Sequence, residues 1–269
     1  MSAPDQLNLY SDLQPEPVEP ESSTCTKCRG TGWEFLPALR QSRPCSCRKT
    51  NQQDTLLTRA RIPIRFKNCT LSNYYPQGKP NSPEHTSQAR AQQDCHHFLK
   101  EYPAIDYGLL FLGPCGVGKT HLSAAVINKL ITWKNVPCLF YDFRDLLKEI
   151  QGSYNPNTHA TESAVLDPVY KAEVLVLDEL GANKPTAWVQ DTITQIINTR
   201  YNEKKITIIT SNYLDTPLPG TKPGEETLTD RVGARLRSRL YEMCKTILVQ
   251  GEDYRKKVLT YKTQPSLIR

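Results

Sequence analysis

The sequence is short of the features that place a chain in or across a membrane. No run approaches the roughly 18 consecutive apolar residues of a spanning helix, and the first residues lack the basic start and apolar stretch of an export signal. A membrane partner is not expected, and a cytoplasmic location is. Apolar residues make up only 38% of the 269, which is low but within reach of a folded enzyme with long polar loops. No segment repeats, so the chain is not read as a repeat array. Bases are missing from Met1 to Thr24, which holds five acids together with Pro15, Pro17 and Pro20, spaced so that no helix runs through them. This stretch is expected to be a disordered acidic tail. The rest of the chain then carries +11, against +6 for the whole. That excess favours a polyanion such as nucleic acid without requiring one.

Cysteine is plentiful, but the count of nine is odd in a chain without an export signal, which points to thiols or metal ligands and not disulfides. Four of the nine are paired. Cys25 and Cys28 form CxxC, and Cys45 and Cys47 form CxC after a gap of 16 residues. Four thiolates in two close pairs suit tetrahedral Zn²⁺, and Gly30 and Gly32 free the backbone to turn back on the metal. Trp33, Phe35 and Leu36 would be hard to bury without it, because so short a segment rarely folds unaided. Residues 25–50 are therefore expected to be a zinc-binding module and 51–88 a linking helix and loop: a polar helix from Lys49 to about Arg61, extended IPIRF at 62–66, and a polar stretch from Gln77 to about Gln88. Cys69, Cys95, Cys115, Cys138 and Cys244 read as ordinary thiols, and His96 and His97 as solvent-facing helix residues.

From about Ala89 to the end, short apolar strands alternate with amphipathic helices, the pattern of an α/β domain with a parallel sheet flanked by helices. Five strands are expected, at 108–113, 138–143, 174–178, 206–210 and 246–250, with a clear helix from about Pro185 to Glu203. GPCGVGKT at 113–120 sits between strand and helix and matches the phosphate-cradling P-loop. Gly113, Pro114, Cys115, Gly116, Val117, Gly118, Lys119, Thr120 and His121 are accordingly the candidate ATP contacts, with Lys119 reaching the β- and γ-phosphates and the Thr120 hydroxyl on Mg²⁺. VLVLDE at 174–179 ends an apolar strand on two acids. Asp178 is the expected Mg²⁺ ligand and Glu179 the general base that polarises water. A second acid favours hydrolysis of the nucleotide over transfer to a substrate hydroxyl. A solvated acidic turn is the plainer alternative. Asn212, after the strand ITIIT, is placed to touch both γ-phosphate and water.

DRVGARLRSRL at 230–240 reads as one basic helix with arginines at 231, 235, 237 and 239. An arginine lent by a neighbouring subunit stabilises transition-state charge in many NTPases, and Arg239 is the first candidate, Arg235 the second. A solvated basic face or a nucleic-acid contact remains open. Arg255, in GEDYR, could reach the nucleotide of its own subunit, and no C-terminal helical lid is expected after it.

IPIRF, GPCGVGKTHL, VLVLDELG, NTRYNEK, IITSNY, RLRSRL and GEDYR together resemble the DnaC/DnaI-type helicase loaders and their IstB-type transposition relatives, over roughly residues 59–258. The resemblance implies an AAA+ P-loop core, ATP and Mg²⁺ as cofactors, ring-like or helical self-association, single-stranded DNA, and a hexameric replicative helicase as partner. It assigns Lys119, Thr120, Asp178, Glu179, Asn212, Arg239 and Arg255 the roles given above. DnaI-type loaders carry a zinc-bearing front domain that grips the helicase, whereas the transposition helpers usually carry a metal-free helical one. A stacking role on DNA for Tyr154, with Lys148 nearby, stands beside an uninvolved polar loop at 152–163.

Overall fold

The computed structural model describes residues 25–37, 40–155, 161–216 and 226–256. The expected acidic tail, 1–24, lies outside them. The chain divides into two compact units, Met1–Thr50 and Asn51–Arg269.

In the first unit β1 (Trp33–Leu36) pairs antiparallel with β2 (Gln41–Pro44), Trp33 opposite Pro44 and Leu36 opposite Gln41. The polar helix α1, Ser46–Arg59, begins in this unit and continues into the second.

The second unit is built around one parallel sheet. Its elements in order are α2 (Pro83–Glu101), β3 (Gly108–Leu112), α3 (Lys119–Lys134), β4 (Cys138–Asp142), α4 (Phe143–Gly152), α5 (Glu162–Lys171), β5 (Val174–Asp178), α6 (Ala187–Asn202), β6 (Ile206–Ser211), α7 (Leu228–Val232), α8 (Ala234–Met243) and β7 (Cys244–Leu248). The strands lie in the order β4-β5-β6-β3-β7, every pair parallel. The apolar runs are continuous because both faces of the sheet are covered. Successive side chains then alternate between two cores. Leu109 and Phe111 of β3, with Val174 and Val176 of β5, pack on one face against α2 and α3, while Leu110, Leu112, Leu175 and Leu177 pack on the other against α4, α6 and α8. Fully burying such a side chain contributes about 1.5–3 kcal/mol.

Several local expectations change. Residues 51–88 are part of the second unit and put Ala60, Ile62, Cys69, Leu71 and Tyr74 into its core. IPIRF is not extended throughout, because Pro63 starts a 3-10 turn over Ile64–Phe66 in which the Phe66 N–H donates to the Pro63 carbonyl at 2.8 Å. The polar stretch 77–88 becomes helix at Pro83, since Ser82 accepts from the His85 N–H and proline occupies the first helical position. The basic helix is two helices, α7 and α8, parted at Gly233 with φ +86°. The last strand begins two residues early, at Cys244, because α8 runs into it without a loop.

Candidate nucleotide site and cysteine cluster

β3 lies between β6 and β7, and the chain turns at its carboxyl end into α3. Two glycines are required there by close approach. A Cβ at Gly113 would lie 2.0 Å from the Val249 carbonyl oxygen, and one at Gly116, where φ is +79°, would lie 1.9 Å from Asp253 Oδ1. Gly118 precedes α3 without a side-chain cap, so the first-turn amides of that helix are left to an anion. A small, amide-rich concavity at a helix N-terminus fits a phosphate chain.

The Lys119 ammonium is buried and donates to the carbonyls of Gly113 and Pro114, both at 2.7 Å, and to Asn212 Oδ1 at 2.8 Å. Burial holds its pKa down at about 8. The Thr120 hydroxyl donates to Asp178 at 2.9 Å, and Thr210 donates to the same carboxylate at 2.6 Å. Burial raises the Asp178 pKa to about 6 against the pull of those two hydroxyls. A hydroxyl and a carboxylate in contact offer the oxygen ligands that a hard cation such as Mg²⁺ takes. Lys119, Thr120, Asp178 and Asn212 are thus brought together from β3–α3, β5 and β6.

Glu179 stands beside them with φ +59°, a region few non-glycine residues occupy. Its N–H donates to Thr210 Oγ1 at 3.0 Å, and its half-exposed carboxylate faces Arg144 at 3.6 Å. Arg255 is close enough for its charge to weigh on the Lys119 ammonium, and the neighbouring Tyr254 N–H donates to the Gly116 carbonyl at 3.1 Å. Of the remaining loop residues, Cys115 is exposed and Val117 buried. The His121 ring meets the Thr70 carbonyl at 3.0 Å and packs on the Tyr74 ring at 5.5 Å. Arg235 is exposed and Arg239 half-buried, its charge felt by the Tyr201 phenol that bonds Glu242. Neither hydrogen-bonds or ion-pairs with another described residue. Thr210 and Arg144 were not legible as site residues, since a threonine inside a strand and a single surface-type arginine carry no motif.

In the first unit the four sulfurs of Cys25, Cys28, Cys45 and Cys47 lie within 4.8 Å of one another, with Cys25 to Cys45 at 3.7 Å and Cys28 to Cys47 at 3.4 Å. Tetrahedral thiolates around zinc stand about 3.8 Å apart, given Zn–S bonds of about 2.3 Å. The cluster therefore fits the ion. Backbone N–H groups of Cys28 and Lys27 lower the Cys25 pKa to about 6, while hydrogen bonding with Cys28 and Cys45 drives Cys47 up to about 12. Four thiolates at this spacing need a cation to coexist. Trp33 and Phe35, expected to need burial, stay 50% and 61% exposed, with the Arg48 guanidinium over the Trp33 ring. Among the described residues of this unit only Cys28 and Cys45 are buried hydrophobics, so its compactness falls to the sulfurs. The other cysteines are free thiols, Cys115 exposed and the remaining four buried.

A phosphate-cradling turn on the central part of a five-stranded parallel sheet, with a carboxylate-bearing strand two places away, defines a P-loop nucleotide-binding protein of AAA+ architecture. The chain belongs to the family described as IstB-like ATP binding protein, whose profile matches residues 89–261. It is 27% identical to the phage-like element PBSX protein XkdC of Bacillus subtilis (strain 168), over 90% of this chain and 89% of that one. It is 24% identical to the replicative helicase loader DnaC of Escherichia coli (strain K12), over 71% of each chain. A crystal structure of the DnaC helicase loader superposes with a TM-score of 0.59 at 31% identity, covering 70% of this chain and 99% of that chain. No helix among the described residues is long and apolar enough to cross a membrane.

Proposed function

We propose that the chain is an ATP-hydrolysing loader that places a hexameric replicative helicase on single-stranded DNA and releases it on hydrolysis. The observation that carries the hydrolytic half is the convergence of Lys119, Thr120, Asp178 and Asn212 at one edge of the sheet, with Glu179 next to them. ATP supplies the phosphoanhydride bond and Mg²⁺ the charge neutralisation. Lys119 would hold the terminal phosphates, and Thr120 and Asp178 the Mg²⁺. Glu179 would draw the proton from the attacking water, with Asn212 orienting it, and Arg255 would contact the nucleotide in its own subunit.

An arginine acting on a neighbouring subunit's nucleotide needs free reach. On that ground exposed Arg235 moves ahead of half-buried Arg239 as the residue a ring or helical assembly would use. The names of the relatives support the helicase as cargo. The zinc-binding module is the adaptor that grips it. Tyr154 is 52% exposed, which is compatible with stacking on a DNA base and equally with an uninvolved polar loop.

The family profile itself favours a second reading, an ATP-binding transposition helper. The four-cysteine cluster argues for the loader. The deciding experiment is capture of the full-length chain from cells in the presence of ATP. A replicative helicase, lost in a Cys45→Ser variant, supports the loader. A transposase in its place selects the helper.

A further inference from the structure

Arg231 is grouped by sequence with the arginines of the basic helix, yet it points the other way. It is 9% exposed and reaches back beneath the turn that follows Asp178 and Glu179. Its Nε donates to the Gly181 carbonyl at 2.8 Å, and its Nη2 donates to those of Asn183 at 2.8 Å and Ala182 at 3.4 Å. Its Nη1 meets Glu226 at 2.8 Å, and its guanidinium lies 4.8 Å from the centre of the Tyr213 ring, one residue past Asn212. Three successive carbonyls of one turn therefore share one cation.

This matters because Glu179 is held in a left-handed conformation that is strained for a residue with a side chain. Such a conformation persists only where both flanks are fixed. Upstream it is fixed by β5 and by Thr210, which accepts the Glu179 N–H on its hydroxyl and the Leu180 N–H on its carbonyl. Downstream the clamp is Arg231. The same residue lies in α7 two positions before Gly233, the joint from which α8 departs with Arg235 and Arg239.

We propose that Arg231 is a positioning residue that holds the Glu179 turn in its hydrolytic geometry and ties that geometry to the setting of α8. The inference rests on the reading of the site as an ATPase. A lysine offers one compact ammonium and cannot span three carbonyls while lying flat on a ring, so charge alone should not suffice.

The test uses the full-length chain with the substitutions Arg231→Lys, Arg231→Gln and Glu179→Gln, and the double variant Arg231→Lys/Glu179→Gln. Fluorescent ATP binding, steady-state and single-turnover hydrolysis, and thermal melting are measured for each. Arg231→Lys is expected to bind ATP within about threefold of the unsubstituted chain and to keep its KM, while kcat falls tenfold or more. In single turnover the double variant is expected to be no slower than Glu179→Gln alone, because both changes act on one group. Unchanged kcat in a folded Arg231→Lys protein, or an additive loss in the double variant, overturns the proposal and leaves the ATPase reading standing. Should Arg231→Gln fail to fold, Arg231→Lys decides the matter. Absence of turnover in the unsubstituted chain overturns the ATPase reading and this proposal with it.

Discussion

The Thr120 hydroxyl donates to both carboxylate oxygens of Asp178, at 2.9 and 3.1 Å, joining the first turn of α3 to the end of β5 across 58 residues of chain. The contact exists because β6 separates β5 from β3 in the sheet, which brings the two carboxyl ends to one crevice. Open α/β sheets bind ligands at that edge.

Glu179 borders this crevice without entering the Thr120–Asp178 contact, as a base acting on water and not on the metal should. Glu179→Gln is expected to retain ATP binding while hydrolysis falls by about 10²-fold or more. Turnover at the unsubstituted rate would remove Glu179 from the mechanism.

Asp178 sets a pH dependence. Its folded pKa of about 6 exceeds the usual value of 3.8. Between those values the folded state holds a proton that the unfolded chain has lost, so this residue's contribution to stability grows as the pH falls through the window and diminishes as it rises. Melting of the nucleotide-free chain from pH 4 to 8 should therefore show a slope that Asp178→Asn loses. Mg²⁺-supported ATP binding should run the other way and weaken below about pH 6, because the metal needs the carboxylate. Identical slopes in the two proteins would refute this.

The exposure of Arg235 leads to a mixing experiment. Arg235→Ala is expected to lower turnover of the assembled protein on the order of 10³-fold, and Arg239→Ala by less than about tenfold. Mixing Arg235→Ala with Lys119→Ala should restore part of the activity, since each chain supplies what the other lacks. No recovery on mixing would place Arg235 outside any shared site.

For the cysteine cluster, protein purified without chelator is expected to contain one zinc per chain, and Cys45→Ser close to none. The same protein without zinc, still folded over residues 25–50 by amide exchange, would end the metal assignment.

Arg200 offers a stability test. It is completely buried at the end of α6 and donates to the carbonyls of Val169, Ala172 and Ile206 at 2.8, 2.9 and 2.6 Å. Arg200→Met leaves those acceptors unpaired, each costing about 1–3 kcal/mol, so a loss of about 3 kcal/mol or more is expected in urea unfolding. A change below about 1 kcal/mol would mean that the carbonyls find other donors.

The P-loop, the strand ending in Asp178 and Glu179, and the spacing of the four cysteines were legible because each is a local pattern. Strand, turn and helix follow one another within a dozen residues, and two short cysteine pairs need only one loop between them. Boundaries were less legible where one residue decides them, as at Gly233 and Pro63. A helical charge pattern crosses such a point unchanged while the backbone does not.

The amino-acid order by itself therefore determined which chemical groups the chain brings to a nucleotide and to a metal, together with the alternation of strand and helix that carries them. Only the tertiary structure decided which of those groups meet. Thr210 joins Asp178, Arg231 reaches from α7 to the carbonyls of the turn after Glu179, and Arg235 rather than Arg239 is left exposed. The reason is physical: these pairings depend on strand order and on which helix face is buried. Both are set by packing between residues 32 to 93 positions apart, beyond the reach of a local pattern.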